Sequence, residues 1–166
     1  SLIILHSFWL EFILKILLRK FIIMQVNNEI IKKNIAQIEK KLPLLAEALR
    51  EHEIQNIDFI EALSGDIIMT YCGLPLHSMQ DPIEEAKKVY ESVTSKNYNT
   101  LNVIFGLGIG YLFKRATMES KGVIVIYEPN LDILKAMLEV VDFSEELSNK
   151  NIFVVHELKH LRFIFF

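Results

Sequence analysis

The apolar run Val103-Ile104-Phe105 leads directly into Gly106-Leu107-Gly108-Ile109-Gly110, and this junction constrains the fold more than any other feature of the chain. A short apolar strand, closely spaced glycines and then a helical stretch from Tyr111 to about Glu119 read as strand, tight turn and crossover helix. In such a turn one glycine lets the chain reverse and another keeps a Cβ away from an approaching phosphate or sugar. The amides at the helix start offer the positive end of a dipole. Val123 to Tyr127 is a second unbroken apolar run, ending at Glu128. Asn130 can cap a further helix with Leu131, Leu134, Leu138 and Val141 on one stripe, and Ile152 to Val155 reads as a third strand. This alternation predicts a parallel sheet.

The expected class is therefore α/β: a small N-terminal α+β domain followed by an incomplete Rossmann-like parallel sheet. Its candidate nucleotide-binding residues are Gly106, Gly108, Gly110 and Glu128. Glu128 lies about one βαβ unit after the glycines, where this fold sets an acid beside a ribose hydroxyl. The bland alternatives are a purely structural turn and a solvated acid at a strand end. Tyr111 stands where a dinucleotide fingerprint carries its third glycine, so the pattern is GxGxG and an NAD enzyme is disfavoured. S-adenosylmethionine-dependent methyltransferases share GxGxG with an acid ending the second strand, and they form the rival class.

Upstream, Asn27 or Asn28 can cap a helix whose Ile31, Ile35, Ile38, Leu42, Leu45 and Leu49 alternate at spacings of four and three. Pro43 removes a backbone donor inside this stretch, so one helix ends near Leu42 and a second starts at Pro43. The heptad-like spacing is too short and too interrupted for a coiled coil. Ile57 to Ala62 and Ile67 to Tyr71 form a hairpin around Leu63-Ser64-Gly65-Asp66. A loop from Gly73 to Ser78 follows. Asp81, Pro82 and Glu84 then specify a helix start with a capping box, and Ile83, Ala86, Tyr90 and Val93 form its apolar face. The polar Ser95 to Thr100 marks a boundary. The predicted organisation is an apolar leader over 1–23, an α+β domain over 24–98 and the start of the Rossmann-like domain over 99–166.

With 166 residues and 51% hydrophobic content, the chain can bury a core, which argues against intrinsic disorder. A formal net charge of -3 supplies no basic field for nucleic acid or an anionic membrane. Cys72 is the single cysteine, so no internal disulfide forms; it is expected to be a buried apolar residue in a reducing cytoplasm. Leu2 to Ile23 has about the length of a membrane span, but Glu11, Lys15, Arg19 and Lys20 interrupt it. It also lacks the basic start and cleavage site of a secretory signal. An amphipathic surface helix, a marginal anchor and residues translated from upstream of a start at Met24 all fit, and the last is favoured.

His77, His156 and His160 are the candidate bases, but no carboxylate stands at a spacing that would orient one, so each is expected to be a surface or packed histidine. His156-Glu157-Leu158-Lys159-His160 matches the HExxH zinc pattern literally. It follows the third strand directly, with little sequence after it for a third ligand. No metal site is assigned.

The string from Phe105 to Leu112, followed by Tyr127-Glu128-Pro129-Asn130 and the helix Leu131 to Val141, resembles the Maf, or motility-associated factor, glycosyltransferases. Pro75-Leu76-His77-Ser78 with Asp81-Pro82 and Glu85-Ala86 is similar to the segment preceding the glycine loop in that family. The resemblance covers roughly Met24 to Val155. It implies a cytoplasmic bacterial protein that transfers a nonulosonic acid of the pseudaminic type from a CMP-sugar donor to Ser or Thr of flagellin. Maf proteins are several times longer, and the part resembling sialyltransferases, which the resemblance implies holds donor and catalytic residues, lies largely downstream of Phe166. The chain is therefore expected to be an N-terminal piece that is inactive alone, with no certain cofactor. A non-catalytic nucleotide-binding or scaffold module is the further alternative.

Overall fold

A computed structural model describes residues 28–93 and 101–161. The apolar leader, the polar boundary segment and the last five residues lie outside the described residues. Residues 28–39 form a helix, α1, and Pro43–Glu51 form α2 with proline in its first turn, so the break falls at Leu42 as the proline predicts. Ile57–Glu61 (β1) and Ile67–Tyr71 (β2) pair antiparallel. Leu74–Pro75 (β3) adds a two-residue third strand inside the segment expected to be a loop. The turn between β2 and β3 carries Cys72 at φ 50° and leaves it exposed, which corrects the expectation of a buried thiol: a tight turn points the side chain outward whatever its polarity.

Pro82–Val93 forms α3, and Asp81 accepts from the Glu84 amide at 2.8 Å as an N-cap should. The expected capping box is not completed by Glu84, which pairs instead with Lys87 and Lys88. Ser78 Oγ accepts from the Asp81 amide at 3.3 Å, taking the place assigned to the glutamate. Pro82, Ala86 and Tyr90 are buried on this helix, whereas Ile83 and Val93 are exposed, so its apolar face is narrower than the spacing suggests.

The second half alternates as predicted: Leu101–Phe105 (β4), Tyr111–Glu119 (α4), Val123–Tyr127 (β5), Leu131–Val140 (α5), Ser144–Ser148 (α6) and Ile152–Val155 (β6). Strands pair parallel in the order β4-β5-β6, with Ile104 beside Ile126 and Ile126 beside Val154. This is an incomplete Rossmann-like sheet. Right-handed crossovers in a steadily advancing strand order place α4 and α5 on one face. Phe113, Leu134 and Met137 from those helices meet Ile104, Ile124, Ile126 and Val154 in one buried cluster. Ile35 and Ile38 of α1 and Leu45 and Leu49 of α2 enter the same cluster, and this is why α5 is buried more widely than one stripe.

Asn34 shows how the helical layer is held. It is completely buried; its amide donates to Leu138 O at 2.8 Å and Val141 O at 2.7 Å, and its oxygen accepts from the Phe143 amide at 2.8 Å. Carbonyls at a helix end have no partner within the helix, so a side chain from α1 closes the end of α5. Lys41 does the same beyond α6, donating to the carbonyls of Leu147, Asn149 and Ile152. No helix among the described residues is long and apolar enough to cross a membrane.

Candidate functional site

The C-terminal ends of β4 and β5 open onto a cleft of about 560 Å³, walled by the glycine turn on one side and by α3 and the segment before it on the other. A crevice at this end of a parallel sheet is where open α/β folds bind ligands. Gly106, Gly108 and Glu128 all line it, so three of the residues singled out by spacing come together. Gly110 is not among its lining residues. A Cβ added there would stand 2.7 Å from Phe143 Cζ, so this glycine serves the packing of α4 against the Phe143 ring.

The other two glycines differ from each other. Gly106 has φ 77° and an added Cβ would meet nothing within 4 Å, so its backbone stays open to an incoming group. Gly108 has φ 52° and an added Cβ would lie 2.2 Å from His77 Nε2. The space a side chain would fill is thus taken by the protein's own imidazole. His77 Nε2 also accepts a hydrogen bond from the Ile109 amide at 2.8 Å, and its ring meets Tyr111 edge-on at 5.4 Å between centroids. Acceptance at Nε2 requires that nitrogen to be unprotonated. Burial pushes the imidazole below its ordinary value, which favours that neutral state, while the Glu85 charge pulls the other way. His77 is therefore a packed histidine, as expected, with the added task of bracing the turn.

Glu128 is only 3% exposed, so it is not a solvated strand-end acid. One carboxylate oxygen accepts from the Leu107 amide at 2.9 Å and the other from the Asn130 amide at 3.0 Å. It ties the glycine turn to the start of α5, whose own cap is Asn130. Burial raises its pKa against the pull of those two amides, which favour the anion. Two more turn amides are engaged, Gly106 donating to Tyr127 O at 3.0 Å and Gly110 to Leu107 O at 2.9 Å, whereas the Gly108 amide has no acceptor among the described residues.

Phe105 and Tyr127, the last residues of their strands, stand at the cleft with rings 5.8 Å apart and nearly perpendicular. Glu85 of α3 also lines it, with one oxygen accepting from the Ser78 amide at 2.8 Å. These side chains had no signal beyond their positions at strand ends and on an expected outer helix face. The HExxH string is not an α-helix: His156 and Glu157 precede a short 3-10 turn, Leu158–Leu161, that holds its last three residues. Its histidine rings lie 5.3 Å apart, Glu157 pairs with Lys159 and His156, and no group of three or more metal-ligating side chains occurs among the described residues.

No protein-family model matches the chain, and no curated protein matches it. Among solved structures, a Maf glycosyltransferase from Magnetospirillum magneticum AMB-1 is similar over 79% of this chain with a TM-score of 0.59 and 16% sequence identity. At that identity the likeness is one of fold. The shared part is 28% of that protein's chain, so this chain corresponds to under a third of its length.

Proposed function

We propose that the chain is the N-terminal part of a Maf-type glycosyltransferase, one that transfers a nonulosonic acid of the pseudaminic type from a CMP-sugar to Ser or Thr of flagellin. The observation that carries this reading is the likeness to the Maf fold over most of the chain, coinciding with the motifs at Phe105 to Leu112 and Tyr127 to Asn130 that resemble the same family. In this reading the cleft at Gly106, Gly108 and Glu128 receives the nucleotide, Gly110 sets the α4 packing behind it, and the protein works in a bacterial cytoplasm. The groups that transfer the sugar come from a part of the enzyme beyond these residues. Three parallel strands form half of the crevice of a full doubly wound sheet, so nucleotide binding by this chain alone is weak.

A methyltransferase remains the rival on one observation: the cleft holds two carboxylates, Glu85 and Glu128, which suit the sulfonium of S-adenosylmethionine. Calorimetric titration of CMP and S-adenosylmethionine into the 166-residue chain separates the two. The glycosyltransferase reading expects weak CMP binding, S-adenosylmethionine no tighter, and no transfer to flagellin by this chain alone. Micromolar binding of S-adenosylmethionine would overturn it in favour of the methyltransferase. Robust transfer from the chain by itself would refute the assignment of the catalytic groups elsewhere.

A further inference from the structure

We propose that the cleft takes the base-and-ribose end of a nucleotide and leaves its phosphate outside. This rests on the nucleotide reading above and narrows it to one portion of the ligand. Glycine turns that cradle phosphate do so with free backbone amides, and in P-loops with a lysine as well. Here the amides of Gly106, Leu107, Ile109 and Gly110 donate to Tyr127 O, Glu128, His77 and Leu107 O respectively, which leaves the Gly108 amide as the one in the turn without an acceptor among the described residues. No lysine or arginine occurs among the described residues lining the cleft, whereas Glu85 and Glu128 do. A phosphate placed there would meet two carboxylates, no counter-charge and few donors.

The walls suit a different group. Phe105 is 72% exposed, so one face of its ring is free to stack, and Val89, Leu112 and Pro129 continue an apolar surface around it. Stacking on an aromatic ring is indifferent to which base arrives, because every base has a π-face. Carboxylates only accept hydrogen bonds, and the amino group of a base and the hydroxyls of a ribose are donors. Glu85 lines the cleft with one oxygen on the Ser78 amide and a second that takes part in no hydrogen bond or ion pair among the described residues. The open backbone at Gly106 lets a sugar ring approach without meeting a side chain.

The test follows amide chemical shifts of the isotopically labelled 166-residue chain on addition of cytidine, CMP, inorganic phosphate, adenosine and S-adenosylmethionine. Cytidine and CMP are expected to bind within about threefold of each other and to move Phe105 and Gly106, while phosphate moves neither. Phe105→Ala should weaken both ligands about tenfold. Its exposure makes the variant tolerable to the fold, which circular dichroism checks. CMP binding at least tenfold tighter than cytidine, with phosphate competing, would overturn this inference and leave the glycosyltransferase reading standing. Unchanged affinity in Phe105→Ala would likewise remove the stacking wall. Binding of adenosine and S-adenosylmethionine without cytidine or CMP would keep the nucleoside end and overturn the CMP-sugar reading. Failure of every nucleoside and nucleotide to bind would overturn both.

Discussion

Asn34 at the base of the helical layer and His77 at the mouth of the cleft do similar work under different conditions. Each is a polar side chain from the first half of the chain that bonds to main chain of the second half. Asn34 is sealed from solvent, makes three bonds and carries no titratable group. His77 makes one bond to the Ile109 amide, lines the cleft and can take up a proton. The difference teaches where this fold is fixed and where it can respond: the seam far from the cleft is locked, and the one beside it depends on pH.

Asn34→Ala should produce the largest loss, about 3 kcal/mol, because it leaves two carbonyls and one amide buried without partners. Denaturant titration reads it directly, and a loss below about 1 kcal/mol would show that the base seam is held by apolar packing alone. Gly108→Ala comes next, at about 2 kcal/mol, combining the positive φ with the clash against His77. In a His77→Ala background the same change should cost only the backbone strain, about 1 kcal/mol. Equal costs in the two backgrounds would break the claim that the imidazole, rather than the turn, requires glycine there.

Lys41→Met should lose about 1 kcal/mol, since a partly exposed ammonium bonding three carbonyls is partly replaced by water. The smallest effect concerns pH. Because the folded His77 pKa lies below its ordinary 6.5, the folded state binds fewer protons than the unfolded one in the window between those two values. Its contribution is therefore full above about pH 6.5 and is lost as pH falls through that window. Glu85 of α3 faces the ring as a charge and Tyr111 of α4 as an aromatic edge. His77→Gln can keep an acceptor for Ile109 at every pH, so its stability should fall less than that of the parent between about pH 7.5 and 5. Parallel curves for the two proteins would show that the cleft seam is as insensitive to pH as the one at Asn34.

Much of the molecule was legible from local pattern. The strand-glycine-helix junction, the break at Pro43, the hairpin around Gly65 and the caps at Asp81 and Asn130 each depend on neighbours a few residues apart, and each appears in the structure. Asn34 also left a trace: it lies three residues from Ile31 and four from Ile38, on the apolar face, where a polar residue needs a buried partner. Residue spacing also brought Gly106, Gly108 and Glu128 to one crevice. What each does there was a tertiary matter. The separations of 32 positions from His77 to Ile109 and of 21 from Leu107 to Glu128 carry no periodicity that announces a hydrogen bond across them. Only when the chain folds back does an imidazole take the space at Gly108 and a carboxylate take the Leu107 amide, because buried donors seek acceptors and the nearest ones come from distant segments.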